Sequence, residues 1–574
     1  MKSHLYFLLT LIWMMGTNSS VGQSHHSLII NEIMADPSPS VQLPLYEWIE
    51  IKNNSRETIQ LSGWKLVAGN SVSSSFPSYL LPPDSLLIVC NTPATLLLKN
   101  YGSVIGLPSF PALNNEGETL SLRAPNGKTI HAVTYSPTWY GVSWKQEGGW
   151  SLEIIDNTAA CWSTNNWKAS IDSKGGSPGK PNSQFGKKIN GETLAPLHAY
   201  AQDNKTIVLN FNRPVDSSSS VNKMAFAFTR GYVAESIRVL PPAYDQAIIT
   251  LNKPLEPDTI LRITVSPLMD CSFNTMNQPL SIQTGLATTA QKGSLFINEI
   301  LFNPRPNAYD FAEMGNKSKQ LIDLSKIVMS NRTSTGQLGG AYKISETPLL
   351  LFPDQLLAIT EDTLSIKREY LIPNIAHLCQ VKQMPTMPDE EGSLVMLTIN
   401  GDIIDEVHYN ESWHFPLLQS NEGVSLERID RTASSTNPSN WHSAASTEGF
   451  ATPGRKNSQE KSTVTSSALF EITPAAFSPD GDGWQDFCQL SYATRQNGQM
   501  ASINIIDASG RIIRRLAPQA LLATSGYFIW NGTDEKGQLC VPGSYLFIIE
   551  LFNLNGNVTR SRLPVVITYS FKKV

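Results

Sequence analysis

Charge is scarce in this chain. Only 16% of its 574 residues are Asp, Glu, Lys or Arg, the formal net charge is −5, and the basic residues do not gather into a stripe. Binding to a phosphate backbone needs a concentrated basic face, so nucleic acid is not an expected partner. The usual metal and nucleotide spacings are also missing. Cys90, Cys161, Cys271, Cys379, Cys488 and Cys540 are scattered, with no CxxC pair and no neighbouring His cluster, so zinc is not expected. No HxH or HExxH occurs, and neither a P-loop nor GxGxxG. No segment carries a long 3.6-residue apolar period, which excludes a helical protein. Beyond the N-terminus no apolar run approaches the ~20 residues of a spanning helix.

What replaces charge is Ser, Thr, Asn, Gly and Pro (37 Gly and 36 Pro), as expected of many short strands joined by turns. The 41% hydrophobic content is that of a folded chain, and the length suggests about four domains. Residues 1–22 have the form of a secretory signal peptide. Lys2 is followed by an apolar stretch from Leu5 to Met15 and by Ser20-Val21-Gly22 as a small-x-small cleavage site. Cleavage leaves a mature chain with no transmembrane helix, and no Cys stands at the cleavage region for lipid attachment. His25 and His26 adjoin the cleavage site and are expected to be disordered. In an oxidising compartment Cys90/Cys161 and Cys488/Cys540 can each pair within one domain, leaving Cys271 and Cys379 single; buried free thiols throughout are the alternative.

The chain contains one module twice. Ser27-Leu28-Ile29-Ile30-Asn31-Glu32-Ile33 returns as Ser294-Leu295-Phe296-Ile297-Asn298-Glu299-Ile300. The closing segments match as well. Ser151-Leu152-Glu153, Asp156, Asn166-Trp167, Pro178-Gly179 and Asn182-Ser183 correspond to Ser425-Leu426-Glu427, Asp430, Asn440-Trp441, Pro453-Gly454 and Asn457-Ser458. Within residues 27–183 the strands are short and alternating. Tyr46 to Ile51, Leu61 to Leu66, Ser85 to Cys90, Gly117 to Leu122 and Ile130 to Tyr135 are expected strands, the last two joined by an Asn126-Gly127 turn. This is an all-β sandwich pattern.

Asn-Glu-Ile, Glu-Trp-Ile-Glu-Ile-x-Asn, Leu-Ser-Gly-Trp-x-Leu, Gly-Glu-x-Leu-x-Leu and a closing Ser-Leu-Glu, in that order, resemble the lamin tail domain. That resemblance implies an immunoglobulin-like β-sandwich and is nearly silent on activity. Residues 294–458 look like a divergent copy in which Leu321 to Ile327 replaces the Leu-Ser-Gly-Trp strand. Residues 195–289, with the alternating runs Lys205 to Phe211, Ala247 to Leu251 and Leu261 to Val265 followed by Asp270 and Asn274, look like the Ig-like spacer of bacterial surface-layer proteins. Past a polar linker at residues 456–467, residues 469–568 carry Phe477-Ser478-Pro479-Asp480-Gly481-Asp482-Gly483, Trp530-Asn531-Gly532-Thr533-Asp534-Glu535-Lys536-Gly537 and Pro542-Gly543-Ser544-Tyr545, and so resemble the C-terminal sandwich of type IX secretion substrates and the Ig-like domain of flagellar hook-capping proteins. The resemblance implies an address to the secretion machinery; the extra Tyr569 to Val574 departs from it.

Candidate chemistry is thin. Asp480, Asp482 and Asp486 stand at positions 1, 3 and 7 of a Gly-rich turn, the spacing of Ca²⁺ ligands, although position 12 is Ser491 rather than an acid. The alternative is a turn whose Asp side chains bond their own backbone. Glu32, Asp36, Glu47 and Glu50, partly repeated as Glu299, Asp310 and Glu313, can hold a cation, form a hydrolytic carboxylate pair, or cap turns. Repetition favours the structural role. Gly175-Gly176-Ser177-Pro178-Gly179 spells a nucleophile elbow without its strand–helix context, and is expected to be a turn. Trp139, Tyr140 and Trp144 lie in a Gly-rich stretch where exposed rings can stack on a sugar or anchor a partner, unless they serve the core. The expectation is a multidomain run of tandem immunoglobulin-like sandwiches, secreted or at the outer surface of a Gram-negative bacterium. It is expected to be non-catalytic, working in adhesion or assembly with a surface protein or glycan. A carbohydrate-binding accessory protein and a carboxylate-based extracellular hydrolase are the alternatives.

Overall fold

The computed structural model describes residues 26–161, 165–187, 193–216, 220–461, 469–494 and 496–568. The signal peptide and the segment Tyr569 to Val574 lie outside them. The fold is all-β, and the longest helix among the described residues is Thr363–Glu369. None of their helices is long and apolar enough to cross a membrane. The chain divides into two compact units, residues 1–254 with 261–284, and residues 255–260 with 285–574.

In the first unit, β1 (Leu28–Met34), β2 (Trp48–Asn53) and β3 (Leu152–Ile154) form the middle of a six-stranded sheet. The order across it is Trp167–Ala169, β3, β1, β2, Leu86–Asn91, Val104–Leu107. A four-stranded sheet ordered Thr129–Tyr135, Glu118–Arg123, Lys65–Ala68, Ser71–Val72 closes over it. Every residue of β1 is buried, because its inner face (Ile30 and Ile33 among others) meets the sandwich core while Met34 meets a second cluster with Trp48, Ile88 and Cys90. A strand buried on both faces reads as a continuous apolar run, and this one does so except at Asn31 and Glu32. The Leu61 to Leu66 strand expected from the sequence is a turn, with Gly63 at φ +80°, and the strand begins only at Lys65. Trp64 is fully buried and its indole N–H donates to the Gln60 carbonyl at 3.0 Å. The Asn126-Gly127 turn forms as expected, with Gly127 at φ +84°. The spacer segment of this unit carries sheets ordered Pro196–Ala201, Thr206–Phe211, Gln246–Leu251, Ala234–Val239 and Phe226–Phe228, Ile260–Val265, Leu280–Gly285.

In the second unit β4 (Leu295–Leu301), β5 (Phe311–Asn316) and β6 (Leu426–Arg428) repeat the central arrangement. Their sheet runs Leu378–Gln380, Leu356–Thr360, β5, β4, β6, Trp441–Ser443. Both copies carry the same register irregularity in the first strand, at Asn31 and at Asn298. A C-terminal sandwich of three and five strands follows. The segment expected as a linker begins inside the fold: Asn457, Ser458 and Gln459 are buried, and residues 462–467 lie outside the described ones.

Candidate functional sites

Three adjacent strands each put one glutamate on the same patch of sheet. Glu32 of β1 lies opposite Glu50 of β2 and Glu153 of β3. All three are completely buried. Among the described residues none makes an ion pair. Their oxygens are instead filled by the module's own closing tail. Glu32 Oε1 accepts from the Ser151 hydroxyl at 2.5 Å and the Ser177 N–H at 2.8 Å. Glu153 accepts from the Ser177 and Ser183 hydroxyls, both at 2.8 Å, and from the Gln184 N–H at 2.9 Å. Glu50 accepts from the Gly179 N–H and, at 2.9 Å, from the Asn31 side-chain amide. Asn31 sits at the register irregularity, and its amide also reaches Asn182 Oδ1 at 2.8 Å.

The second copy repeats this almost bond for bond. Glu299, Glu313 and Glu427 are likewise sealed from solvent. Ser425 and the Thr452 N–H donate to Glu299, the Thr452 hydroxyl bridges Glu299 and Glu427, and Gly454 N–H donates to Glu313. Ser458 and Gln459 close on Glu427, while Asn298 joins Glu313 to Asn457. Ser151, Gly179 and Ser183, matched in the two tails as Ser425, Gly454 and Ser458, are thus donors of this clasp.

Burial among like charges disfavours ionisation. Burial raises Glu32 well above the usual carboxylate range, helped by Glu50 and Glu153, and pushes Glu50 up to about 7. In the second copy burial, with Glu427 beside it, pushes Glu299 up to about 8; burial and Glu299 raise Glu313 well above its ordinary value, and burial also raises Glu427. Ser177 of the GxSxG spelling is one of the clasp's donors, in a turn, as expected. The expected acidic cluster separates. Asp36 accepts from the Ser38 N–H and Glu47 from the Leu113 N–H, away from the triad. Asp310 is raised to about 7, first by burial and then by Asp389 and Glu361. Glu153 and Glu427 complete the triads, a role visible in sequence only as a repeated Ser-Leu-Glu.

The aromatic stretch needs correction. Trp139 belongs to the core, 8% exposed and stacked on Trp167 with ring centroids 6.1 Å apart. Tyr140 packs against the same core, and burial raises its hydroxyl pKa. Only Trp144 is open, at 56% exposure, set edge-on to Trp150. The Lys145 ammonium lies 4.0 Å from the Trp150 ring centre and bonds the Ser170 carbonyl.

Asp480, Asp482 and Asp486 do come together, one oxygen from each lying within 4.8 Å of the others. Their carboxylates accept from the turn's backbone: Gly481 and Gly483 N–H on Asp486, and Trp484 N–H on Asp482. An open cleft of about 580 Å³ in the second module was not signalled by any motif. Arg332, Ser393, His408 and Asn410 line it, and Arg332 forks onto Glu406, which also meets His408 at 3.0 Å.

The cysteines pair differently from either expected pairing. Cys161 is bonded to Cys271, linking the first module to the spacer. Cys90 is locked in the cluster under the large sheet and Cys488 in the C-terminal core; Cys90, Cys379, Cys488 and Cys540 are free thiols.

The class these features define is a multidomain all-β protein of β-sandwiches. Residues 22–137 match the Lamin Tail Domain family. No curated protein matches the chain. Among solved structures, the N-terminal part of the bacterial S-layer protein SbsC is 14% identical, with a TM-score of 0.16, covering 38% of this chain and 44% of its own. This chain thus spans less than half the length of that structure. A DUF4876 family protein from Bacteroides thetaiotaomicron VPI-5482 is 13% identical, with a TM-score of 0.17, covering 33% and 78%. A tetra-tandem repeat from the extending region of a large adhesion protein is 9% identical, with a TM-score of 0.12, covering 95% and 99%.

Proposed function

We propose that this is a non-catalytic, secreted or cell-surface protein of a Gram-negative bacterium that works in adhesion or assembly. Loops at the sandwich ends meet a surface protein or glycan, and the C-terminal sandwich addresses the chain to the secretion machinery. The observation that carries this reading is the fate of the acids. In both copies the carboxylates placed for acid–base work hold the module's own tail and have no exposed surface for a substrate. Residues so used make a sandwich self-contained, which suits a repeated spacer or display unit.

A sugar-binding role is the second reading, and Trp144 alone favours it, as an exposed ring next to Trp150. Calcium at Asp480, Asp482 and Asp486 belongs to the same proposal as a stiffener of the C-terminal turn, and titration calorimetry with Ca²⁺ on the full chain tests it. For the function itself, beads carrying the full chain are presented with arrayed glycans and arrayed extracellular proteins. Capture that leaves the ligand intact is expected. Release of new reducing ends or shortened ligand would replace this reading with a hydrolase. Glycan capture lost on Trp144→Ala would select the sugar reading.

A further inference from the structure

Three residues distant in sequence meet at one corner of the first unit. Cys161 of the first module and Cys271 of the spacer are joined, with Cα atoms 6.0 Å apart. His26 stands beside them: one of its ring nitrogens and the two sulfurs all lie within 4.8 Å of one another. His26 is held in place from both ends. Its N–H donates to the Ile130 carbonyl at 2.9 Å, and its ring lies edge-on to His131 with centroids 5.7 Å apart. His131 is not a fourth candidate. Its Nδ1 accepts from the Ile30 N–H, and its Nε2 is spent on the Ala160 carbonyl at 3.0 Å. The Ser272 hydroxyl lies 3.0 Å from the Cys161 sulfur. Cys161 is buried, while His26 and Cys271 are half-buried, so the corner has a protein side and a solvent side.

We propose that, once reduced, this corner is a site for a soft or borderline metal ion such as Zn²⁺ or Cu⁺, held by Cys161, Cys271 and His26. Two sulfurs and an imidazole are the donor set such ions select over hard cations. With zinc–sulfur bonds of about 2.3 Å the sulfurs need to part only to about 3.8 Å, a change that two side-chain rotations absorb at the present Cα separation. The chemistry balances with an external dithiol as reductant. Exchange converts the protein disulfide to two thiols and the reductant to its own disulfide. Metal binding then releases the two thiol protons and forms two metal–sulfur bonds. The position facing solvent stays open to water. The first module and the spacer are thus tied together in both redox states, by a covalent bond when oxidised and by a metal when reduced.

The test uses the full chain, reduced with a phosphine that is then removed without air, and titrated with Cd²⁺ alone as a zinc surrogate with a thiolate charge-transfer band. One equivalent of tight binding with that band is expected in the reduced chain and none in the same chain left disulfide-bonded. Cys271→Ser should lose this equivalent while keeping the other four thiols. His26→Ala, which removes one of three ligands, should weaken it by about tenfold or more. The proposal fails if the reduced wild type takes up no more metal than Cys271→Ser, or if His26→Ala leaves both affinity and band unchanged. Should Cys271→Ser not fold, the disulfide-bonded wild type is the blank, and equal uptake before and after reduction overturns the proposal.

Discussion

At the residue scale, the buried glutamates Glu32, Glu50, Glu299, Glu313 and Glu427, all raised by burial, set how this protein responds to pH. Glu299 has a folded-state pKa of about 8 against 4.5 as its ordinary value. Between those values the folded chain holds a proton that the unfolded chain has lost. Stability from this group is therefore full below about pH 4.5 and is lost as pH rises through 8. Glu313, Glu32 and Glu50 shift the same way. Urea midpoints of the second unit should fall between pH 5 and pH 9, at up to about 1.4 kcal/mol per pH unit for each proton involved. Glu299→Gln keeps the shape without the charge and should flatten that slope; an unchanged slope would mean that Glu299 does not hold the proton responsible for it. The two tryptophans of the expected binding pair separate at this scale too. Trp139→Ala should cost about 3–5 kcal/mol in chemical denaturation because it empties a core position, whereas Trp144→Ala should stay within about 0.5 kcal/mol.

At the element scale, the closing tail is a strap rather than a strand. Beyond Trp167–Ala169 and Trp441–Ser443, residues 170–187 and 444–461 form no strand, yet their N–H groups and hydroxyls satisfy carboxylates that would otherwise be buried and unpaired, a costly state. The Asn at the register irregularity is the buckle: Asn31 meets Asn182 and Asn298 meets Asn457. The chain must turn sharply at the Pro-Gly step. Gly179 has φ +75°, and an added Cβ would lie 2.1 Å from the Tyr101 carbonyl oxygen. Gly179→Ala should therefore displace the strap and destabilise the first unit by several kcal/mol, about 2 or more, in thermal or urea unfolding. Asn182→Ala should cost about 1–3 kcal/mol by leaving Asn31 half-satisfied. Equal stability of both variants to wild type would show that the strap is dispensable.

At the scale of the whole molecule, the Cys161–Cys271 bond closes a segment with a sequence separation of 110 inside the first unit. Loop-closure entropy assigns such a crosslink about 4–5 kcal/mol. In scanning calorimetry, Cys161→Ser/Cys271→Ser should lower the transition of the first unit and leave that of the second, which contains neither cysteine, where it was. A joint shift would show that the two units unfold together.

The sequence alone determined the all-β class and the duplication, because alternating short strands and repeated turn residues are local patterns that survive without coordinates. It also held several donors of the clasp, as the matched Ser, Pro-Gly, Asn and Ser of the two tails, without indicating what they touch; Ser177 and Thr452, which differ between the copies, and Gln184 and Gln459 stood outside that match. Glu153 and Glu427 looked like ordinary ends of a repeated motif. Only the pairing of β3 with β1 sets Glu153 beside Glu32, and only in the folded sheet does burial raise the pKa of Glu32, Glu50, Glu299, Glu313 and Glu427. The aromatic stretch shows the reverse failure: Gly-rich surroundings predict exposure, but a short turn rolls Trp139 inward onto Trp167. Cysteine pairing was equally invisible, since proximity in sequence says little about proximity in space when sheets bring residues 26, 161 and 271 to one corner. Local periodicity is encoded residue by residue; which side chains meet, and how dry their meeting place is, is decided by long-range strand order.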